Sequence, residues 1–189
     1  MGIILASSSP RRQQLLKLIG IDFNVVVSDV EEDNTKDIPP HELAMAHARD
    51  KAVDSAKRAS ISDVIIGADT IVVLDGQVFG KPADRAEAIR MLTALAGREH
   101  IVISGVAVVK GDQIFSGFNT TTVRIRPLLP EQIKRYVDGG EPMDKAGAYA
   151  IQGQGTLLVE SINGCYNNVV GLPLGTLSDL LQHVGVDLL

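Results

Sequence analysis

The sequence predicts an α/β protein with a mixed β-sheet, and three observations carry that reading. Short apolar runs of strand length alternate with segments of helical period. Turn dipeptides, Asp75-Gly76 above all, join neighbouring runs into hairpins, which adds antiparallel pairs to strands linked through helices. The amino end supplies a compact strand, turn and helix. With 189 residues, 45% of them hydrophobic, the chain can bury a sizeable core as one domain, with room for two lobes.

Ile3-Ile4-Leu5 reads as a buried strand, and Ser9-Pro10 as an N-cap followed by proline at the first helical position. Leu15, Leu16, Leu18 and Ile19 give this helix a core-facing stripe, and Gly20 gives it a left-handed stop. The turn gathers the hydroxyls of Ser7, Ser8 and Ser9 with the guanidiniums of Arg11 and Arg12. First-turn N–H groups and the positive end of the helix dipole point to the same place, which suits an anion such as a phosphate. The plainer reading leaves Ser9 as a cap and the arginines as solvated charge.

Asp22 to Val27 reads as a second strand. The five carboxylates between Asp29 and Asp37 form either a solvated acidic loop or, through Glu31, an oxygen ligand for Mg²⁺. Pro39-Pro40 opens a helix from His41 to about Ala59, with Leu43, Ala44, Ala48, Ala52 and Ala56 on a small-residue face. His47 is placed on the surface of that helix and Lys51 in solvent. Two apolar runs then flank Gly67-Ala68-Asp69-Thr70. An acid between strand segments is unfavourable to bury without a partner, so Asp69 calls for a metal ion, a cationic side chain or a catalytic task, unless it simply forms a turn. Lys81, between Gly80 and Pro82, is a second candidate cation.

Asp84 caps a helix from Arg85 to Ala96, closed by Gly97, and strands at His100–Val109 and Gln113–Arg126 flank Lys110-Gly111-Asp112. Pro130 begins a helix closed by Gly139-Gly140. The glycine-rich stretch that follows, to Gly155, is long enough to need a reason, and a glutamine amide within it could read a base edge. Gly153-Gln154-Gly155 is no dinucleotide fingerprint, because Thr156-Leu157-Leu158-Val159 after it is strand-like. The chain closes with strands at Leu157–Ile162 and near Asn168–Val170, then a helix from Leu174 to Val184.

Composition removes several functions. The net charge of −5 argues against a general nucleic-acid binder, while arginine and lysine gathered in a few loops suit a small anionic ligand. Only three Tyr and four Phe are present for base stacking. A single cysteine, Cys165, has no basic neighbour to activate it and reads as a packed thiol. Four scattered histidines without Cys/His spacing give a structural zinc site no support. No apolar run is long enough to cross a bilayer and the amino end is a strand, so a soluble cytoplasmic protein is expected.

Ser7-x-Ser9-Pro10-Arg11-Arg12, Gly67-Ala68-Asp69-Thr70, Gly80-Lys81-Pro82, Glu141-Pro142-x-Asp144-Lys145-Ala146-Gly147-Ala148-Tyr149, Ile151-Gln152-Gly153 and Gly171-Leu172-Pro173 occur in this order along nearly the whole chain. Together they resemble the Maf family of nucleoside triphosphate pyrophosphatases. The resemblance implies a curved mixed sheet flanked by helices and related to the inosine triphosphate pyrophosphatases. It implies one two-lobed domain over residues 1–189 with a central cleft, often a homodimer. It further implies hydrolysis of a nucleoside triphosphate to monophosphate and pyrophosphate with a divalent metal, Mg²⁺ or Mn²⁺. On this likeness Asp69 is the proton acceptor, Arg12, Thr70 and Gln152 set specificity, Ser7, Arg11, Lys51 and Lys81 handle phosphates, and Glu31 is a metal- or catalysis-related carboxylate.

Ser9 joins the phosphate-binding turn, Glu31 and Asp69 are the expected metal pair, and Lys81 and Glu31 stand beside Asp69 as catalytic groups. Asp144 to Tyr149 and Ile151 to Gly153 are similar to the dTTP/UTP branch, with Ala150 replacing the usual glycine. Modified pyrimidine nucleotides are further candidate substrates. The alternative is a nucleotide-binding regulator without hydrolysis, linked to cell division.

Overall fold

A computed structural model describes residues 1–189. The chain forms two compact units, the first made of Met1–Thr70, Ser104–Asn119 and Gly171–Leu189, the second of Ile71–Ile103 and Thr120–Val170. Its strands are β1 (Ile3–Leu5), β2 (Asn24–Val25), β3 (Val64–Leu74), β4 (Gln77–Phe79), β5 (Glu99–Lys110), β6 (Gln113–Ile125) and β7 (Val159–Asn163). They form one mixed sheet in the order β2-β1-β3-β5-β6-β7, with β4 also paired to β3. β1 runs parallel to both β2 and β3, whereas β3–β4 and β6–β7 are antiparallel. The predicted mixed α/β architecture is therefore present. No helix is long and apolar enough to cross a membrane.

In the first unit, α1 (Pro10–Leu18) starts after Ser9 as expected, but two residues of its predicted stripe are misplaced. Leu15 and Leu16 are buried, while Leu18 and Ile19 are exposed. The helix is short and Gly20 turns it at φ +72°. Ile21 then folds back, its N–H donating to Leu16 O, and takes the buried place. α2 (Pro40–Ala56) buries Leu43, Ala44, Ala48 and Ala52. Ala48 and Ala52 pack with Ile4, Ala6, Ile65, Ala107 and Val109.

Small residues lie on both sides of this contact. A Cβ on Gly67 of β3 would stand 2.1 Å from Ala48 O, and one on Gly105 of β5 would stand 2.3 Å from Ala44 O. The α2 backbone rests directly on two glycines. At the carboxyl end, α6 (Leu174–Gln182) buries Leu177, Leu180 and Leu181.

The second unit packs α3 (Arg85–Leu95) and α4 (Pro130–Asp138) with Val72, Leu74, Phe79, Val102, Val123 and Ile125. Asp84 caps α3 by accepting the Glu87 N–H at 2.7 Å. Asp75 and Gly76 carry φ of +51° and +80°, the conformation of a tight hairpin turn. The stretch after α4 holds three 3₁₀ turns, Glu141–Asp144, Ala146–Ala148 and Gly153–Leu157.

The short strand expected near Asn168–Val170 is instead a helical turn, α5 (Tyr166–Val170). The Thr121 hydroxyl exchanges hydrogen bonds with the backbone of Cys165 and accepts Asn168 Nδ2 at 2.9 Å. Asn168 Nδ2 also donates to Val102 O, so a wholly buried amide ties the segment down in helical form.

One buried histidine of this unit titrates against the fold. His100 Nε2 lies 2.7 Å from the Tyr149 hydroxyl, and its Nδ1 is buried without a partner. Desolvation pushes the His100 pKa from 6.5 down to about 4. The folded protein thus binds this proton more weakly than the unfolded chain does. The stabilisation is whole above pH 6.5 and is lost as pH falls towards 4. Urea unfolding at pH 7 and pH 5 should show wild type losing roughly 2 kcal/mol more than His100→Gln over that interval. Parallel losses in the two proteins would contradict the assignment.

Candidate active site

Asp69 sits in the middle of β3. The residues read as two strand segments around a turn form one continuous strand from Val64 to Leu74, so the turn-forming reading of Asp69 is corrected. Side chains alternate across a strand, which puts Gly67 and Asp69 on the same face, towards α2. Gly67 lets α2 approach at Ala48 and Ala52, and Asp69 meets the side chains of the residues just before each of these, His47 and Lys51.

Asp69 is 4% exposed, and both of its oxygens have protein partners. Lys51 Nζ donates to Oδ1 at 2.7 Å, and His47 Nδ1 lies 3.2 Å from Oδ2. Burial pushes the carboxyl up, but the His47 and Lys51 contacts and the Arg12 charge outweigh it and hold the group well below the usual carboxylate range. Asp69 is therefore kept ionised. Lys51 Nζ also donates to Glu32 Oε1 at 2.6 Å.

His47 is not on the helix surface, as the sequence suggested, but 2% exposed. Residues 43, 47 and 51 recur at the four-residue spacing of one helix face, so the burial of Leu43 already pointed to it. His47 Nε2 lies 3.2 Å from Asp33 O. Both ring nitrogens face acceptors, and both contacts are hydrogen bonds only in the imidazolium form. The Asp69 hydrogen bond accordingly raises the His47 pKa, against the opposing effect of burial. His47 and Lys51 each join Asp69 to the acidic loop, one through Asp33 and the other through Glu32.

The Ser7–Arg12 turn reaches the residue next to Asp69. Arg12 Nε donates to Gly171 O at 2.8 Å, Nη1 to Ser7 Oγ at 3.3 Å and Nη2 to Thr70 Oγ1 at 3.1 Å. Three of the five guanidinium N–H donors are thus occupied by protein. These bonds tie Arg12 to Thr70, Ser7 and Gly171. Thr70 Oγ1 also lies 2.8 Å from Ser104 Oγ, and Ser104 is wholly buried. Ser7 Oγ additionally accepts the Ser9 N–H at 3.2 Å. Ser9 occupies the N-cap position without a side-chain capping bond, which leaves its hydroxyl available at the helix entrance. Arg11 is half-buried in the first turn.

The expected carboxylate pair does not assemble. Glu31 is exposed, and the acid joined to Asp69 is its neighbour Glu32, through the Lys51 ammonium. The cation between those two carboxylates is a lysine, the other Asp69 oxygen faces His47, and no three His, Cys, Asp or Glu residues gather as metal ligands. These residues do not by themselves fit a resident metal. Lys81 and Gln152 belong to the second unit. Lys81 is exposed in the loop after β4, and Gln152 is half-buried at the head of the third 3₁₀ turn. His47, Glu32 and Ser104 are the site residues that the sequence reading missed.

Relatives match nearly the whole length of the chain. A dTTP/UTP pyrophosphatase of Acetivibrio thermocellus is 48% identical over 99% of this chain and 97% of its own. One from Symbiobacterium thermophilum is 52% identical over 97% of this chain and 94% of its own, and one from Clostridium botulinum is 47% identical over 98% of each. Among solved structures, a HAM1 protein from Coxiella burnetii aligns at a TM-score of 0.45 and 20% identity, covering 66% of this chain and 73% of that one. The family description "Maf-like protein" matches residues 2–184. From its amino-terminal turn to its last helix, the chain belongs to the Maf family.

Proposed function

We propose that this chain hydrolyses dTTP and UTP, and modified pyrimidine triphosphates of the same shape, to the monophosphate and pyrophosphate. The observation that carries the reading is Asp69, a buried ionised carboxylate within one helical packing contact of Lys51 and beside the clamped Arg12–Thr70 pair. The curated names of the relatives supply the nucleotide. Water attacks the α-phosphorus, the bond to the bridging oxygen of the β-phosphate breaks, and Asp69 takes the proton from the attacking water.

Ser7, Ser9, Arg11 and the first-turn N–H groups of α1 receive phosphate oxygens, as the open end of a helix does. Lys51 and Lys81 offset the charge of the triphosphate, about four negative charges that would otherwise repel an incoming hydroxide by several kcal/mol at an effective dielectric near 20. The arriving phosphates compete for the Lys51 ammonium, and each donor drawn away from Asp69 returns proton affinity to it. Thr70, positioned by Arg12, and Gln152 read the base. Mg²⁺ or Mn²⁺ arrives as part of the substrate, on the phosphate oxygens. Lys81 and Gln152 enter this assignment on family resemblance, as do a homodimeric state and a cytoplasmic location.

Pyrophosphate release from UTP, dTTP, CTP, GTP and ATP with Mg²⁺ or Mn²⁺ tests the proposal. UTP and dTTP should exceed the others by about tenfold or more in kcat/KM, a difference of roughly 1.4 kcal/mol. Nucleotide binding without pyrophosphate release would overturn it in favour of a regulator.

A further inference from the structure

The segment that carries Gln152 is organised by one carboxylate. Glu141 follows Gly140, whose φ of +77° turns the chain out of α4. Glu141 Oε1 accepts the Tyr136 hydroxyl at 2.9 Å and the Gly155 N–H at 2.9 Å, and its Oε2 accepts the Gln154 N–H at 3.0 Å. The Tyr136 hydroxyl in turn accepts the Ala150 N–H at 3.1 Å. Thr156 Oγ1 closes the same loop by donating to Ile151 O at 2.9 Å.

Backbone groups on both sides of Gln152 are therefore fixed to one acid and its tyrosine. Gly153 shows how close the approach is, since a Cβ there would stand 2.5 Å from Glu141 Oε2 and its φ is +63°. Hydrogen bonds to an ionised acceptor are about twice as strong as neutral ones, so three donors on one carboxylate make a stiff support. Burial raises the Glu141 pKa, and the Gly155, Gln154 and Tyr136 hydrogen bonds more than offset it, so the acid is held ionised.

We propose that Glu141 is a positioning residue for base selection, which holds the Gln152 amide where it discriminates between pyrimidines. The proposal rests on the base-reading role given to Gln152 above. UTP and CTP differ along one edge of the base: uracil has a carbonyl oxygen at C4 and a proton on N3, cytosine an amino group at C4 and a bare N3. A site discriminates between such groups because the wrong one leaves a fixed polar partner unsatisfied. An amide free to shift can offer either its carbonyl or its NH₂, and the discrimination is lost. Loosening the support should therefore erode selectivity before it erodes phosphate chemistry.

Steady-state pyrophosphate release from UTP and CTP is to be measured for wild type, Gln152→Ala, Glu141→Gln and Tyr136→Phe. The UTP-to-CTP ratio of kcat/KM is expected to fall about tenfold or more in Gln152→Ala, about tenfold in Glu141→Gln and a few-fold in Tyr136→Phe. KM for UTP should carry most of each change. Tyr136→Phe removes one hydroxyl and keeps the buried ring, so it decides the matter even if Glu141→Gln fails to fold. A wild-type ratio in the folded Glu141 and Tyr136 variants, beside a lowered one in Gln152→Ala, overturns the role of Glu141 and leaves base reading by Gln152 standing. An equal fall for both nucleotides would likewise overturn it, because a merely structural residue behaves that way. An unchanged ratio in Gln152→Ala overturns the base-reading assignment itself, and the Glu141 proposal with it.

Discussion

Asp69→Asn is expected to lower kcat for pyrophosphate release from UTP by ~10²–10⁴-fold, the usual effect of removing a positioned general base. The substitution is nearly isosteric, so the nucleotide should still bind, and the apparent affinity for UTP should change far less than turnover. Stability should fall as well. His47 and Lys51 lose the anion between them, and removing one partner from a buried charged cluster typically costs about 3–5 kcal/mol. Turnover is therefore compared at a temperature where urea titration shows both proteins folded. Wild-type pyrophosphate release by the folded variant would remove Asp69 as the base.

Gly67→Ala is expected to destabilise the protein by about 3 kcal/mol or more, at or beyond the upper end of ordinary overpacking. The reason is the identity of the obstructing atoms. A Cβ at Gly67 meets Ala48 O at 2.1 Å and Ala52 N at 2.9 Å, and backbone of a packed helix cannot turn aside as a side chain can. Set against a total of about 5–15 kcal/mol for a typical domain, this single methyl should move the urea midpoint markedly. It should also depress activity, because Asp69 lies two residues along the same strand face. An unchanged midpoint would mean that α2 shifts freely on the sheet.

The parts of the fold legible in the sequence are those decided by neighbours in the chain. Ser9-Pro10 starts α1, Asp75-Gly76 turns the β3–β4 hairpin and Asp84 caps α3, each through contacts spanning a few residues. Asp69 was recognisable as anomalous, an acid among strand residues, but its partners lie 18 and 22 positions away on α2. Nothing local could tell a buried partnered acid from a turn. His47 was more accessible than the reading made it, since it shares a helix face with Leu43 and lies between the buried Ala44 and Ala48. Its polar type points to the surface, and its position on the helix to the core. Leu18 and the 166–170 segment failed for a related reason. Ile21 and Asn168 claimed the buried places through a backbone reversal at Gly20 and through the Thr121 hydroxyl, neither of which leaves a periodic trace.

The family resemblance pointed to Glu31, where the geometry brings Glu32 to Lys51. Adjacent residues of a loop are indistinguishable until the backbone direction is known. The neighbouring carbonyl of Asp33, held at His47 Nε2, shows which way that loop enters the site.

The two glycines beneath α2 have an implication for how this protein can change. Where a helix stands on side chains, its height above a sheet can be retuned by exchanging one residue for a slightly larger or smaller one. Here main chain meets main chain, so the reach of the lysine and the histidine has no adjustable shim. A substitution at this contact is therefore expected to alter stability and the placing of both side chains together.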